Sequence, residues 1–130
     1  MIQNDRKKFS WQARRQSFVY AWQGFKALLS TEHNTRIHLV LTITVIGAAL
    51  VLRVSRIELI ILVMVMATVW VAEIFNTALE KAMDFMSTEH HPQIKLVKDL
   101  AAAAVLITAI AAVIVGCLIF IPRMLQYIVF

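Results

Sequence analysis

Three acidic residues past the middle of the chain, Glu73, Glu80 and Asp84, stand seven and four positions apart in the run AEIFNTALEKAMD at 72–84. At about 100° per residue on an α-helix, these spacings hold them within about 40° of one another along about 16 Å of helix. Asn76 and Thr77 flank the same stripe. A ladder of carboxylates like this suits phosphoryl transfer: one takes a proton from an alcohol, and others hold magnesium against phosphate oxygens. Mg2+ prefers hard oxygen ligands, commonly one or two carboxylates together with the phosphates themselves. The plain alternative is that Glu80 and Asp84 are solvated residues at a helix end. Glu73 fits that alternative poorly, because apolar residues 69–72 precede it and Ile74 and Phe75 follow it.

A second group follows within fifteen residues. Lys95, Lys98 and Asp99 have the i, i+3, i+4 spacing of one helical face. A lysine there can meet phosphate charge, and Asp99 can orient the lysine or bind a nucleotide group. An interfacial lysine contacting lipid headgroups explains the same spacing. His90 and His91 beside Glu89 have neither a cysteine partner nor regular metal-ligand spacing, so a zinc site is not expected. With glycine only at Gly24, Gly47 and Gly116, the chain has no glycine-rich phosphate loop, and any nucleotide site must be built another way.

The elements that must carry these groups follow from composition. Of the 130 residues, 60% are hydrophobic and only 16% charged, which a soluble surface does not accommodate. Long apolar stretches predict three transmembrane helices at about 37–54, 57–80 and 99–122, each near the ~20 residues a span needs. Arg36 and Arg53 are placed to snorkel at the two ends of the first. The first eleven residues contain Asp5, Arg6, Lys7 and Lys8 and do not read as a cleaved signal, so the first span is expected to stay in the mature protein. The single Cys117 excludes an intrachain disulfide and is expected to be a buried thiol.

Between about 10 and 30, Trp11, Phe18, Trp22 and Phe25 recur near helical spacing among Arg14, Arg15, Gln16 and Gln23. This predicts an amphipathic surface helix, with a break at Ser30, Thr31 and Glu32. Seven Lys and Arg residues precede the first span and Lys81, Lys95 and Lys98 lie between the second and third, against Arg53, Arg56 and Arg123 on the other side. That asymmetry puts the N-terminus and the carboxylate ladder on the cytoplasmic side of a multi-pass membrane protein. The net charge of +5 then faces anionic lipid and is not a nucleic-acid patch. The run of alanines at 101–104 permits close helix contact.

Four motifs resemble one family: FVYAWQG in the surface helix, EHNTRIH before the first span, AEIFNTALEKAMD, and HPQIKLVKDLAAAAVL. In this order and spacing they are similar to the small three-span bacterial lipid kinases, the diacylglycerol kinases and undecaprenol kinases, from about Ser17 to Arg123. The resemblance implies an all-α homotrimer in the bacterial cytoplasmic (inner) membrane, with active sites between helices of neighbouring chains. It implies Glu73 as general base, with Glu32 and Glu80 holding the Mg2+ that travels with ATP and Asn76 and Asp84 supporting the site. Tyr20, Glu89, His91, Lys98 and Asp99 match nucleotide-contacting positions. The lipid alcohol would lie near Phe18, Trp22, Asn34 and Arg36, with its hydroxyl at Glu73. The basic position that some relatives carry ahead of Tyr20 falls on Ala13, next to Arg14 and Arg15. EHNTR and the ending FIPRML look closer to the undecaprenol kinase branch, which makes undecaprenol the expected acceptor and diacylglycerol the second.

Readings of another class are a small oligomeric channel and a structural membrane subunit. A pore lines its full depth with polar groups, whereas the halves of these spans away from the ladder are almost wholly apolar. A structural subunit leaves the carboxylate ladder without a purpose.

Overall fold

The computed structural model describes residues 10–87 and 91–129, the side chains of 127–129 excepted, and every regular element in these residues is helical. The elements are α1 (Trp11–Thr31), α2 (His33–Val51), α3 (Arg56–Met86) and α4 (Pro92–Val129). The chain divides into two compact units, Met1–His33 and Asn34–Phe130.

In the first unit, the Ser10 side chain caps α1 by accepting from the Ala13 N–H at 3.3 Å. The helix ends where Glu32 turns extended, its own N–H donating to the Leu28 carbonyl at 3.0 Å. Trp11, Phe18, Tyr20 and Trp22 are all exposed. The Trp22 and Phe25 rings stack with centroids 6.0 Å apart, and Lys26 Nζ lies 5.6 Å from the centre of the Trp22 ring. Large exposed aromatics beside cations are the side chains that settle at a headgroup boundary.

In the second unit, α2, α3 and α4 are each long and apolar enough to cross a membrane. At 1.5 Å per residue α2 measures about 28 Å, close to the ~30 Å hydrocarbon thickness, while the 31 residues of α3 reach about 46 Å. α3 is therefore longer than the hydrocarbon is thick by about three turns.

The turn from α2 to α3 is specified by hydrogen bonds. Val54 N–H donates to Ala49 O at 3.1 Å and Arg53 N–H to Leu50 O at 3.3 Å, with Arg53 left-handed at φ 47°. This is the six-to-one and five-to-two pattern that closes a helix, here on a non-glycine residue at a cost of about 1–2 kcal/mol. Ser55 and Glu58 then form a reciprocal capping box, the Ser55 N–H donating to Glu58 Oε2 at 2.6 Å and the Glu58 N–H to Ser55 Oγ at 3.3 Å. The same Glu58 oxygen accepts from Arg123 Nη2 at 2.6 Å, so α4 is tied to the cap of α3.

Just inside this end, Ala49, Leu62 and Ile119 form the buried core, with Val45, Met66, Val115 and Phe120 packed against it. Halfway along, Trp70 Nε1–H donates to Thr42 Oγ1 at 3.0 Å and links α3 to α2. Many large apolar side chains, among them Leu106, Ile107, Ile110 and Leu118, stay exposed on α4. Cys117 is exposed as well, which corrects the expectation of a buried thiol. Pro92 opens α4 at the position where a missing N–H costs nothing, and Pro122 interrupts the ladder near its far end.

Candidate active site

The buried stripe of α3 runs through Leu62, Val69, Glu73 and Thr77. Its spacing of seven, four and four keeps it on one side of the helix. Halfway along, the stripe changes from apolar to polar, and Glu73 stands at the change with only 3% of its surface exposed. A carboxylate there is costly unless other groups compensate it.

Cross-helix pairs set the register around it. Thr42 is bonded to Trp70, and one turn along, His38 Nε2 lies 3.9 Å from Glu73 Oε2. Continuing that antiparallel register brings Thr35 level with Asn76 and Thr77. Thr35 is fully buried, and its Oγ1 and the Asn76 Oδ1 are buried oxygens with no hydrogen-bond partner among the described residues. Such atoms cost about 1–3 kcal/mol each when left unpaired, and they mark a place that a further group completes. The Asn76 amide nitrogen, about one turn from Glu73, donates to Glu80 Oε1 at 3.1 Å and holds that half-buried carboxylate about two turns from Glu73.

Beyond Glu80 the groups become exposed. Asp84 pairs with Lys98 of α4, and Asp99 pairs with Lys95. The structure thus sorts the two lysines: Asp99 orients Lys95, while Lys98 answers a carboxylate on the preceding helix. His91 is exposed, and its Nδ1 accepts from the Gln93 N–H at 3.3 Å. Glu89 lies outside the described residues. In the first unit, Glu32 is half-buried beside Thr31, whose hydroxyl donates to Glu32 Oε1 at 3.0 Å, and Tyr20, Phe18 and Trp22 are exposed. Asn34 and Arg36 are exposed at the start of α2.

Within the second unit, the structure therefore brings Glu73, Asn76 and Glu80 together, with Asp84 and Lys98 next along the same edge. It adds His38, Thr35, Thr42 and Trp70, which the acidic spacing alone does not reveal. The available signal was that residues 35, 38 and 42 fall on one helical face. Among the described residues no three His, Cys, Asp or Glu side chains cluster tightly enough to hold a metal by themselves. The donors present are oxygens, those of Glu80, Asn76 and Thr35, and a divalent ion that arrives with phosphate oxygens of its own fits such a partial set.

A family profile described as prokaryotic diacylglycerol kinase matches residues 19–120. The chain belongs to that family. The matched segment holds every residue named above from Tyr20 to Asp99 and leaves Phe18 just outside. The chain is 39% identical to a diacylglycerol kinase of Synechocystis sp. over 127 residues, covering 95% of this chain and 73% of the relative. It is 34% identical to the undecaprenol kinase of Bacillus subtilis over 108 residues, 83% of this chain and 88% of the relative. With a diacylglycerol kinase of Escherichia coli it shares 33% identity over 100 residues, 77% and 82% of the two chains. This family member is a lipid kinase, and its apolar helices make it a multi-pass membrane protein.

Proposed function

We propose that the protein transfers the γ-phosphate of MgATP to the hydroxyl of a membrane lipid alcohol, undecaprenol, on the cytoplasmic side of the bacterial inner membrane. The observation that carries the reading is Glu73, a carboxylate buried on α3, with the bonded Asn76 and Glu80 about one and two turns further along the same helix. Glu73 takes the proton of the lipid hydroxyl as that oxygen bonds to the γ-phosphorus and the bond to the leaving ADP oxygen breaks. Glu80 and Glu32 would hold the magnesium, with Asn76 orienting Glu80. When bound, the ion neutralises charge on the β- and γ-phosphates. Lys98, Asp84, Asp99, His91, Glu89 and Tyr20 hold the nucleotide, and Phe18, Trp22, Asn34 and Arg36 guide the lipid. The excess of Lys and Arg before α2 and between α3 and α4 supports the sidedness.

The motifs EHNTR and FIPRML and the likeness to the B. subtilis undecaprenol kinase support undecaprenol. Diacylglycerol is the second reading, favoured by the 39% identity to the Synechocystis diacylglycerol kinase. The test is to incubate the purified protein with MgATP and each lipid in mixed micelles and to identify the product by mass spectrometry. Undecaprenyl phosphate formed at the higher kcat/KM supports the first reading. Phosphatidate formed faster selects the second, and no phosphorylated lipid from either alcohol rejects both.

A further inference from the structure

We infer that His38 is the positioning residue for the Glu73 carboxylate: it holds one oxygen so that the other meets the lipid hydroxyl. This rests on the reading of Glu73 as the base.

Three elements face Glu73 at its depth. From α2 comes His38, itself only 17% exposed, with Nε2 at 3.9 Å from Glu73 Oε2. One turn further along α2, the Thr42 hydroxyl is engaged by Trp70. On α3, the Asn76 amide is directed to Glu80. From α4 the residues that share a pocket with His38 are Ala109, Ala112, Val113, Gly116, Cys117 and Phe120, and the Thr108 hydroxyl beside them is turned to its own helix, donating to the Val105 carbonyl at 2.9 Å. Between Asp99 and Arg123, α4 has no ionisable side chain except the Cys117 thiol, at the far part of that pocket.

The pocket itself, about 300 Å3, is apolar along Leu41, Val45, Met66 and Phe120, and His38 lies at its border. Low polarity around the pair strengthens whatever charge or dipole interaction it makes. The separation is about 1 Å longer than a hydrogen bond, and contacts between catalytic groups commonly tighten once substrates are in place. The two imidazole nitrogens have separate tasks. Nε2–H is directed to one carboxylate oxygen, which leaves the other to accept the hydroxyl proton. His38 gains no proton in the step; it remains a donor while Glu73 becomes protonated.

The test is a double-mutant cycle in the lipid kinase assay with His38→Leu, His38→Gln, Glu73→Gln and the combined His38→Leu, Glu73→Gln chain. His38→Leu is expected to lower kcat about 10-fold or more with the KM for MgATP within about twofold, the pattern of a misplaced reacting group. His38→Gln, which keeps an N–H at a similar reach, is expected to recover most of that loss. In the Glu73→Gln background His38→Leu should cause no further loss, because the group it serves is already gone. Wild-type kcat in His38→Leu overturns the inference, as does equal loss in the Leu and Gln variants or the same fold-loss in both backgrounds. If His38→Leu no longer binds a fluorescent ATP analogue, His38→Asn, whose amide stops short of Glu73, takes its place in the same cycle. An active Glu73→Gln chain is a separate result: it removes the base itself, and with it the reason for positioning one.

Discussion

Lys98 Nζ is paired with Asp84 Oδ1, fourteen residues earlier, so the last turns of α3 and the first turns of α4 are joined by charge. The two side chains are 34% and 65% exposed, which places the pair in the range where an ion pair contributes about 0–1 kcal/mol to stability. Its larger consequence is positional, since it fixes a cation beside the acidic ladder.

The first prediction separates those two effects. Lys98→Ala should leave the thermal unfolding midpoint in detergent within a few degrees of wild type, yet raise the KM for MgATP about 10-fold or more. A large loss of stability with an unchanged KM would make the lysine a structural residue alone.

Glu73→Gln tests the base. The substitution keeps size and hydrogen-bonding capacity, so the chain should fold and bind nucleotide, while turnover falls by about 10²-fold or more. Retention of more than about a tenth of wild-type kcat in the purified variant would exclude that role.

The metal prediction concerns Glu32 and Glu80. Replacing either with Ala should raise the magnesium concentration needed for half-maximal activity and weaken MgATP use far more than lipid use, because the proposed role of these carboxylates is to serve the ion and not the acceptor. Titrating magnesium at saturating lipid decides it, and unchanged curves in both variants would reject the assignment.

A fourth prediction addresses assembly. If the active site is shared between neighbouring chains of a trimer, mixing inactive Glu73→Gln chains with inactive Glu32→Ala chains should restore part of the activity, because some interfaces then unite two intact halves. Differently tagged chains, purified in tandem so that mixed oligomers are certain, provide the measurement. Mixed oligomers as inactive as either parent would mean that both residues of one site belong to the same chain.

What the sequence determined by itself was everything that depends on neighbours along one helix. The three spans are legible because a helix in lipid needs about 20 apolar residues, and the ladder is legible because seven- and four-residue spacings return to one face. The break at Glu32 and the surface aromatics Trp11, Phe18 and Trp22 follow from the same local rules. Tertiary structure decided which residues meet across helices. It set His38 against Glu73, gave Lys98 to Asp84 and Lys95 to Asp99, and left the buried oxygens of Thr35 and Asn76 without a partner among the described residues. Spacing along the chain is silent on such pairs. The register between α2 and α3 depends on how the Arg53 turn closes and on how Ala49, Leu62 and Ile119 interlock. Helical period fixes angles within one rod, whereas the height of one rod against the next is set only when a turn and a packed contact join them.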